Sequence, residues 1–280
     1  MTFKLNHMCS YVRNMDENIA FYTNLLGGQV TSYQIIEPSN AKYVYVQILD
    51  QLIELIEPGV HDENTVYGLK HLAFETDDLD AAYEYLCGLG YKFHIPPKAA
   101  ASGNGRLAFF KDPNDVIVEV LQRDRTMYRE PIESDFVCSV DHYAVRSGDL
   151  AGAYKLYVEQ LGMKPLAHFV ISDGIREIYY LGHGTGGLEI VQSTSYKPTD
   201  NPHSHLCFGV NSLEEAADKL RARGYDLPED VIQNAGLKVG RTFSFKDPEG
   251  TRIELVQRPD LRELEANGFT PETVSTMRPL

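Results

Sequence analysis

HSHLCFGVNSLEEAADKLRARGY, residues 203–225, followed at 246–258 by KDPEGTRIELVQR, decides how the rest of the chain is read. Alternation at its start puts His205, Cys207 and Gly209 on one face of a strand and Leu206 and Phe208 on the other. Asn211-Ser212 then caps a helix that has Glu214 and Glu215 in its first turn. Leu213, Ala216, Ala217 and Leu220 form its apolar side, and Gly224 ends it. More strands follow, the last two joined by the turn Asp247-Pro248-Glu249-Gly250, and the final one, TRIELVQ, carries Glu254 between Ile253 and Leu255. A histidine opens this unit and a glutamate closes it.

The unit recurs along the whole chain. His7 to Glu54 spans 47 positions, His71 to Glu119 48, His142 to Glu189 47, and His205 to Glu254 49. Each histidine is followed about twenty residues later by a helix-ending glycine, at Gly27, Gly90, Gly162 and Gly224. One such pair arises by chance, whereas four in the same frame mark an internal repeat.

Taken in order, the first repeat has the helix DENIAFYTNLLGG with Ile19, Tyr22 and Leu26 on its apolar side, then the strands AKYVYVQIL and QLIELIE. The second has the helix DLDAAYEYLCGLG and a Gly/Ala-rich loop, AAASGNGR, before LAFFKD and VIVEVLQ. Its final turn reads DPND instead of DPEG, a mild departure because Asp tolerates the left-handed conformation that Gly supplies. The stretch RDRTMYREPIESDF, Arg123 to Phe136, is charged, contains Pro131 and lacks apolar periodicity, which predicts a linker. The third repeat then follows, with the helix GAYKLYVEQLG. The predicted organisation is an N-terminal domain over 1–124, a C-terminal domain over 137–260, each of two repeats, and a tail over 261–280.

With 280 residues, 43% hydrophobic and 24% charged, the chain reads as an ordinary globular protein with sizeable cores. A net charge of −14, with no basic run against it, excludes nucleic acid and acidic lipid surfaces as natural partners. No charged n-region with a long apolar core opens the sequence and no membrane-length apolar stretch appears, so a cytoplasmic protein is expected. Cys9, Cys87, Cys138 and Cys207 form no CxxC pair, which fits reduced thiols; Cys9 and Cys207, two residues after a repeat histidine, read as small pocket-lining residues.

Two imidazoles and two carboxylates suit a divalent ion of borderline hardness, such as Zn, Ni, Mn or Fe(II), and leave positions open for water or substrate oxygens. Apolar neighbours flank Glu54, Glu119, Glu189 and Glu254, so each strand stays in the core while its carboxylate points the other way. Tyr11, Glu75, Arg146 and Gly209, four residues after their histidines, fall on that same face.

The βαβββ unit, with phrases such as FYTNLLGG and DPEGTRIELVQ, resembles the vicinal oxygen chelate superfamily over nearly all of Leu5 to Arg258. That superfamily holds glyoxalase I, extradiol dioxygenases, methylmalonyl-CoA epimerase, and the fosfomycin and bleomycin resistance proteins. The resemblance implies an α+β fold: four βαβββ modules paired into two curved mixed-sheet cups with helices outside. It implies metal ligands at His7, Glu54, His71 and Glu119 in the first half and at His142, Glu189, His205 and Glu254 in the second. Which modules pair stays open, since repeats in this family exchange partners between domains and subunits, and a homodimer stays open with it. Glu119 and Glu254 match the family's catalytic base. Arg146 matches an arginine that holds a substrate carboxylate, with a rim arginine paired to Asp141 or Asp149 as the alternative. Arg106 and Arg241, each just before the penultimate strand of its half, are anion contacts or solvated.

Extradiol dioxygenases of the family place a histidine and a tyrosine shortly before the DPxG turn, and NAGLKVGRTFSFKD at 234–247 has neither. The retained ligand sets point to a glyoxalase I-like lyase or isomerase that moves a proton next to a carbonyl on a small substrate with vicinal oxygens. An Fe(II) ring-cleaving dioxygenase is the alternative, and a metal-free binding protein the third class.

Overall fold

The computed structural model describes residues 1–170, 177–183, 186–193, 195–197, 201–234 and 240–258. The first two modules run β1 (Phe3–Tyr11), α1 (Met15–Ala20), β2 (Gln29–Ile36), β3 (Ala41–Ile48), β4 (Gln51–Glu57), then β5 (Gly68–Thr76), α2 (Leu79–Gly88), β6 (Phe93–Ala99), β7 (Arg106–Lys111) and β8 (Ile117–Gln122). The second two run β9 (Val137–Ser147), α3 (Leu150–Tyr154), β10 (Lys164–Val170), β11 (Glu177–His183), β12 (Gly186–Gln192), then β13 (His203–Val210), α4 (Leu213–Ala222), β14 (Gln233–Asn234), β15 (Arg241–Lys246) and β16 (Arg252–Gln257).

They form two eight-stranded mixed sheets, ordered β2-β3-β4-β1-β5-β8-β7-β6 and β10-β11-β12-β9-β13-β16-β15-β14. Each sheet is built from consecutive modules, which answers the open question of pairing: the first module pairs with the second and the third with the fourth. In both, the two opening strands lie antiparallel at the centre and each runs parallel to its own module's last strand. The four central strands therefore carry all the ligand positions of a half. The fold is the expected α+β arrangement of curved sheets with helices outside. No described helix is long and apolar enough to cross a membrane.

Local chemistry explains the elements. Ser212 caps α4 by accepting from the Glu215 amide, and Asn14, Asp78 and Asp149 cap the other helices. Gly250 has φ +85° and its counterpart Asp115 φ +63°, so the DPND turn adopts the left-handed conformation the DPEG turn uses.

The helices of modules one and three depart from a plain 3.6-residue reading. After Ala20 and after Tyr154 they widen into π-type turns, Phe21–Leu25 and Lys155–Gln160. Phe21, Tyr22 and Leu25 are then buried while Ile19, expected on the apolar side, is only partly so. The widened turns deliver two tyrosines to the boundary between the halves. Tyr22 donates to Asp247 at 2.9 Å and Tyr157 to Asp112 at 3.0 Å. These are the same contact in opposite senses: helix of the first module to last turn of the fourth, helix of the third to last turn of the second. Around them Arg13 pairs with Glu249, and Asn114 accepts from the amides of Gly148 and Asp149. One hydrophobic core runs through both halves, with Phe74 stacked on Tyr157 and Phe21 beside Phe245.

The segment expected to be a linker lies between β8 and β9 and is strapped to the first sheet. Tyr128 donates to the Asn6 carbonyl, the Arg129 amide to Gln47, Gln29 to the Glu130 carbonyl and Ser134 to the Leu26 carbonyl. Met127 is buried against Tyr45 and Leu52. The proposed tail, 261–280, lies outside the described residues.

Candidate metal centre

On the inner face of the first sheet, strand register sets the ligands around two small residues. Cys9 lies opposite Glu54 and His71, and Ala73 opposite His7 and Glu119. The second sheet repeats this with Ala144 opposite Glu189 and His205, and Cys207 opposite His142 and Glu254. A one-residue slip of any strand would turn its ligand into the core. Cys9 and Cys207 are fully buried, and that burial pushes both thiols well above the usual range, so they form the floor and are not nucleophiles.

The first half gathers His7, Glu54, His71 and Glu119, all buried, with one ligand atom from each within 4.8 Å of the others. His71 Nε2 stands 3.1 Å from Glu119 and 3.7 Å from Glu54; His7 Nε2 stands 3.3 Å and 3.4 Å from the same carboxylates. Neither Nε2 makes a well-directed hydrogen bond, although both are shielded from water. Asn6 Oδ1 accepts from His7 Nδ1 at 2.8 Å, and Asn6 Nδ2 is fixed by donating to Glu75. The proton is thereby assigned to Nδ1, and the Nε2 lone pair faces the carboxylates. Such orphaned donor atoms beside two carboxylates fit a divalent ion better than a set of core residues. Burial disfavours the charge on Glu119, but the His7 and His71 imidazoles outweigh it and hold its carboxyl well below the ordinary range.

Tyr45 donates to Glu54 at 2.5 Å and Tyr180 to Glu189 at 2.5 Å, outer contacts that orient the ligands. The period-two reading did not single these tyrosines out. Their signal was present, since both recur at the repeat offset of 135, as do Arg123 and Arg258, Tyr22 and Tyr157, and Asp112 and Asp247.

The second half differs in one ligand. His142, Glu189 and His205 cluster, with the two Nε2 atoms 3.0 Å apart, and Asp141 orients His142 through Nδ1. Glu254 reaches His205 at 3.1 Å, but Arg252 donates to its Oε2 and Thr242 to its Oε1, both at 2.6 Å. Burial works against its charge, yet the contacts with His205, Thr242 and Arg252 bring its pKa down to about 2. At the equivalent first-half positions stand Ile117 and Leu107, and no described side chain bonds Glu119 beyond the two histidines. The two glutamates the sequence could not tell apart are thus in different situations: Glu119 meets only the two histidines, whereas Glu254 is also clamped by Arg252 and Thr242.

A cavity of about 350 Å³ opens over the first set, lined by Tyr11, Lys70, His94, Phe109 and the ligands His71, Glu54 and Glu119. Tyr11 thus lies where its register predicts, and burial raises its phenol to about 12. Lys70, His94 and Phe109 were not foreseen. Arg146 is exposed and lines a separate polar hollow of about 320 Å³ with Tyr67, His203 and Arg252. The ion pair envisaged for it with Asp141 or Asp149 is not present, because Asp141 serves His142 and Arg258 while Asp149 caps α3. Arg241 is not brought to either cluster: it donates to Glu214 in the first turn of α4 and to Gln257, and Arg106 likewise clasps Asp80. Glu75, expected near the metal face, is used to hold Asn6.

The profile of the Glyoxalase/Bleomycin resistance protein/Dioxygenase superfamily matches residues 4–120 and 139–255, and the chain belongs to that superfamily. Over 274 residues it is 25% identical to a lactoylglutathione lyase of Arabidopsis thaliana, covering 92% of this chain and 93% of that protein. A lactoylglutathione lyase of Schizosaccharomyces pombe is 23% identical, over 92% of this chain and 97% of its own. Among solved structures the chain is similar to the 2,3-dioxygenase LapB from Pseudomonas sp. KL28, with a TM-score of 0.67 at 19% identity, covering 94% of this chain and 96% of that one. At that identity the likeness speaks for the fold alone.

Proposed function

We propose that the protein is a divalent-metal-dependent lyase or isomerase of the glyoxalase I type, acting on a small substrate with vicinal oxygens, with its working centre in the first half. The observation that carries this reading is the pair of orphaned, buried Nε2 atoms of His7 and His71 facing Glu54 and Glu119 beneath an open cavity. The full-length similarity to lactoylglutathione lyases supports it. His7, Glu54, His71 and Glu119 would hold the ion, as Zn, Ni, Mn or Fe(II). Bound there, a divalent ion supplies the positive charge that stabilises an enediolate.

The chain's own groups do the rest. Tyr45 holds Glu54 in place through its phenol. Asn6 keeps His7 in the tautomer that presents Nε2. Glu119, with one carboxylate oxygen engaged by the histidines and the other free of described partners, takes the proton from the carbon next to the carbonyl and returns it. Phe109 and Leu107 keep the cavity's β7 side apolar, so water competes less for that proton.

The dioxygenase reading rests on backbone likeness. An anaerobic assay in deuterated water separates the two: turnover without oxygen, with deuterium exchange or direct transfer at the carbon next to the carbonyl, is expected. Stoichiometric oxygen uptake would make it a dioxygenase.

Metal content is a second test. Reconstituted protein is expected to bind up to two divalent ions per chain, the first half filling before the second. His205→Ala combined with Glu254→Ala should remove about one of them, since each ligand set is separate. Elemental analysis that finds no bound ion under any loading condition would remove the reading.

A further inference from the structure

Arg123 and Arg258 occupy equivalent positions, four residues past Glu119 and Glu254, yet only one of them is hydrogen-bonded to a carboxylate. Arg258 holds Asp141 through two hydrogen bonds, at 2.5 and 3.1 Å. In the first half the residue equivalent to Asp141 is Asn6, whose amide is already committed to His7 and Glu75. Arg123 is left with a single hydrogen bond, 2.8 Å from Nη2 to the Tyr45 phenol, and its Nε is shielded from water with no partner. Nη1 has no acceptor among the described residues either. The Glu54 and Glu119 carboxylates act on this guanidinium through space but make no hydrogen bond to it, so its buried N–H donors are short of an acceptor, a cost that one neutral phenol does not offset.

The surroundings are built for a small one. Arg123 lines a recess of about 30 Å³ that also touches Glu54, Glu119, Tyr43 and Ser102, and so opens beside the ligand cluster. That is room for about two water-sized atoms, the two oxygens of a carboxylate. Its roof is the AAASGNGR loop, where Ala100 and Ala101 keep side chains short. Gly105, at φ +90°, lies so close to the end of β8 that a Cβ would fall 1.9 Å from the Gln122 carbonyl oxygen and 2.8 Å from the Arg123 Cα. Asn104 fixes the loop by exchanging two hydrogen bonds with the Arg125 backbone. The loop therefore stands against Arg123 in a set position, and neither Tyr43 nor Ser102 uses its hydroxyl in any described hydrogen bond.

We infer that Arg123, with Ser102 and Tyr43, forms a subsite for a carboxylate on the substrate of the first-half centre, in the role Asp141 fills for Arg258. This rests on the metal-centre reading and names its substrate class: a compound with vicinal oxygens and a carboxylate a few bonds away. A planar carboxylate matches the guanidinium fork.

The test uses full-length protein with His205→Ala, so that only the first set is complete, loaded with Zn(II) and titrated calorimetrically. The probes are malonic, succinic and glutaric monohydroxamates against neutral alkyl hydroxamates of the same length. At least one acid-tailed probe is expected to bind about tenfold or more tighter than its neutral match, the usual scale of a charge-assisted hydrogen bond. Arg123→Gln should erase that gap while leaving the neutral probes unchanged, and Arg123→Lys should keep part of it. No preference at any chain length in the parent protein would overturn the subsite and leave the metal centre standing. Equal weakening of both probe sets in Arg123→Gln would also overturn it, showing that Arg123 acts only through Tyr45 on Glu54. Failure of the neutral hydroxamates to bind the loaded protein would instead count against the metal centre itself.

Discussion

Glu119→Gln is expected to keep most of the first-half metal and lose at least about a hundredfold in turnover, the lower range for removal of a general base. Gln retains a carbonyl oxygen able to face His7 and His71 but cannot accept the proton. Glu254→Gln should cost far less, because Glu254 is already tied by Arg252 and Thr242 as well as by His205. The comparison needs metal content measured beside rate, so that loss of the ion is not mistaken for loss of the base. Equal losses of only about twofold in the two single variants, with the hundredfold loss appearing in the double variant, would show that both centres turn over and that the clamp on Glu254 opens in the working enzyme. If neither variant slows the reaction, the glutamates only hold metal and the proton is moved by another group.

The second large effect is on stability and depends on pH. Asp112 sits at the boundary between the halves, 6% exposed, accepting from Tyr157 and from the amides of Asn114 and Val116. Burial pushes its carboxyl from 3.8 to about 6 in spite of those donors. Between these values the folded chain holds a proton that the unfolded chain has released, so stability falls as pH rises through that window and stays lowered above it. Asp112→Asn has no such proton to lose. The difference in unfolding free energy between the parent and Asp112→Asn should therefore move by about 2 kcal/mol, against the parent, from pH 4 to pH 7. Denaturant unfolding at the two pH values measures it, and a constant difference would mean that Asp112 ionises normally. Subtracting the variant is essential, because Glu119 and Asp141, with lowered values, respond in the opposite sense.

Much of this was legible in residues alone, and the reason is periodicity. A strand places every second side chain on one face, so a histidine and a glutamate flanked by buried apolar residues announce an inward pair, and four such pairs announced both cups. Tyr11 was placed by the same rule. What stayed hidden depends on contacts between strands distant in sequence. Arg252 shares the face of Glu254 two residues earlier on the same strand, but nothing near Glu254 says that Thr242 on β15 reaches its other oxygen. Arg146 and Arg241 each allowed two readings, substrate contact or rim residue, and only the partners decide where they lie: Arg241 is held by Glu214 and Gln257, and Arg146 lines another hollow. The π-type turns were missed because one extra residue per turn shifts the apolar phase without altering composition.

The Tyr22–Asp247 and Tyr157–Asp112 contacts have a historical consequence. Each half carries both a tyrosine and an aspartate of the clasp in the same frame, so the boundary between the halves is self-complementary, as the surface of a two-fold dimer is. In a dimer of identical half-length ancestors every substitution would appear at both centres at once. Once duplicated genes are joined, that constraint is gone. One chain can therefore carry Arg252 and Thr242 at one centre and Ile117 and Leu107 at the other, and Asn6 where its counterpart is Asp141. Because each centre is written in its own stretch of sequence, the two can differ where a two-fold dimer's could not.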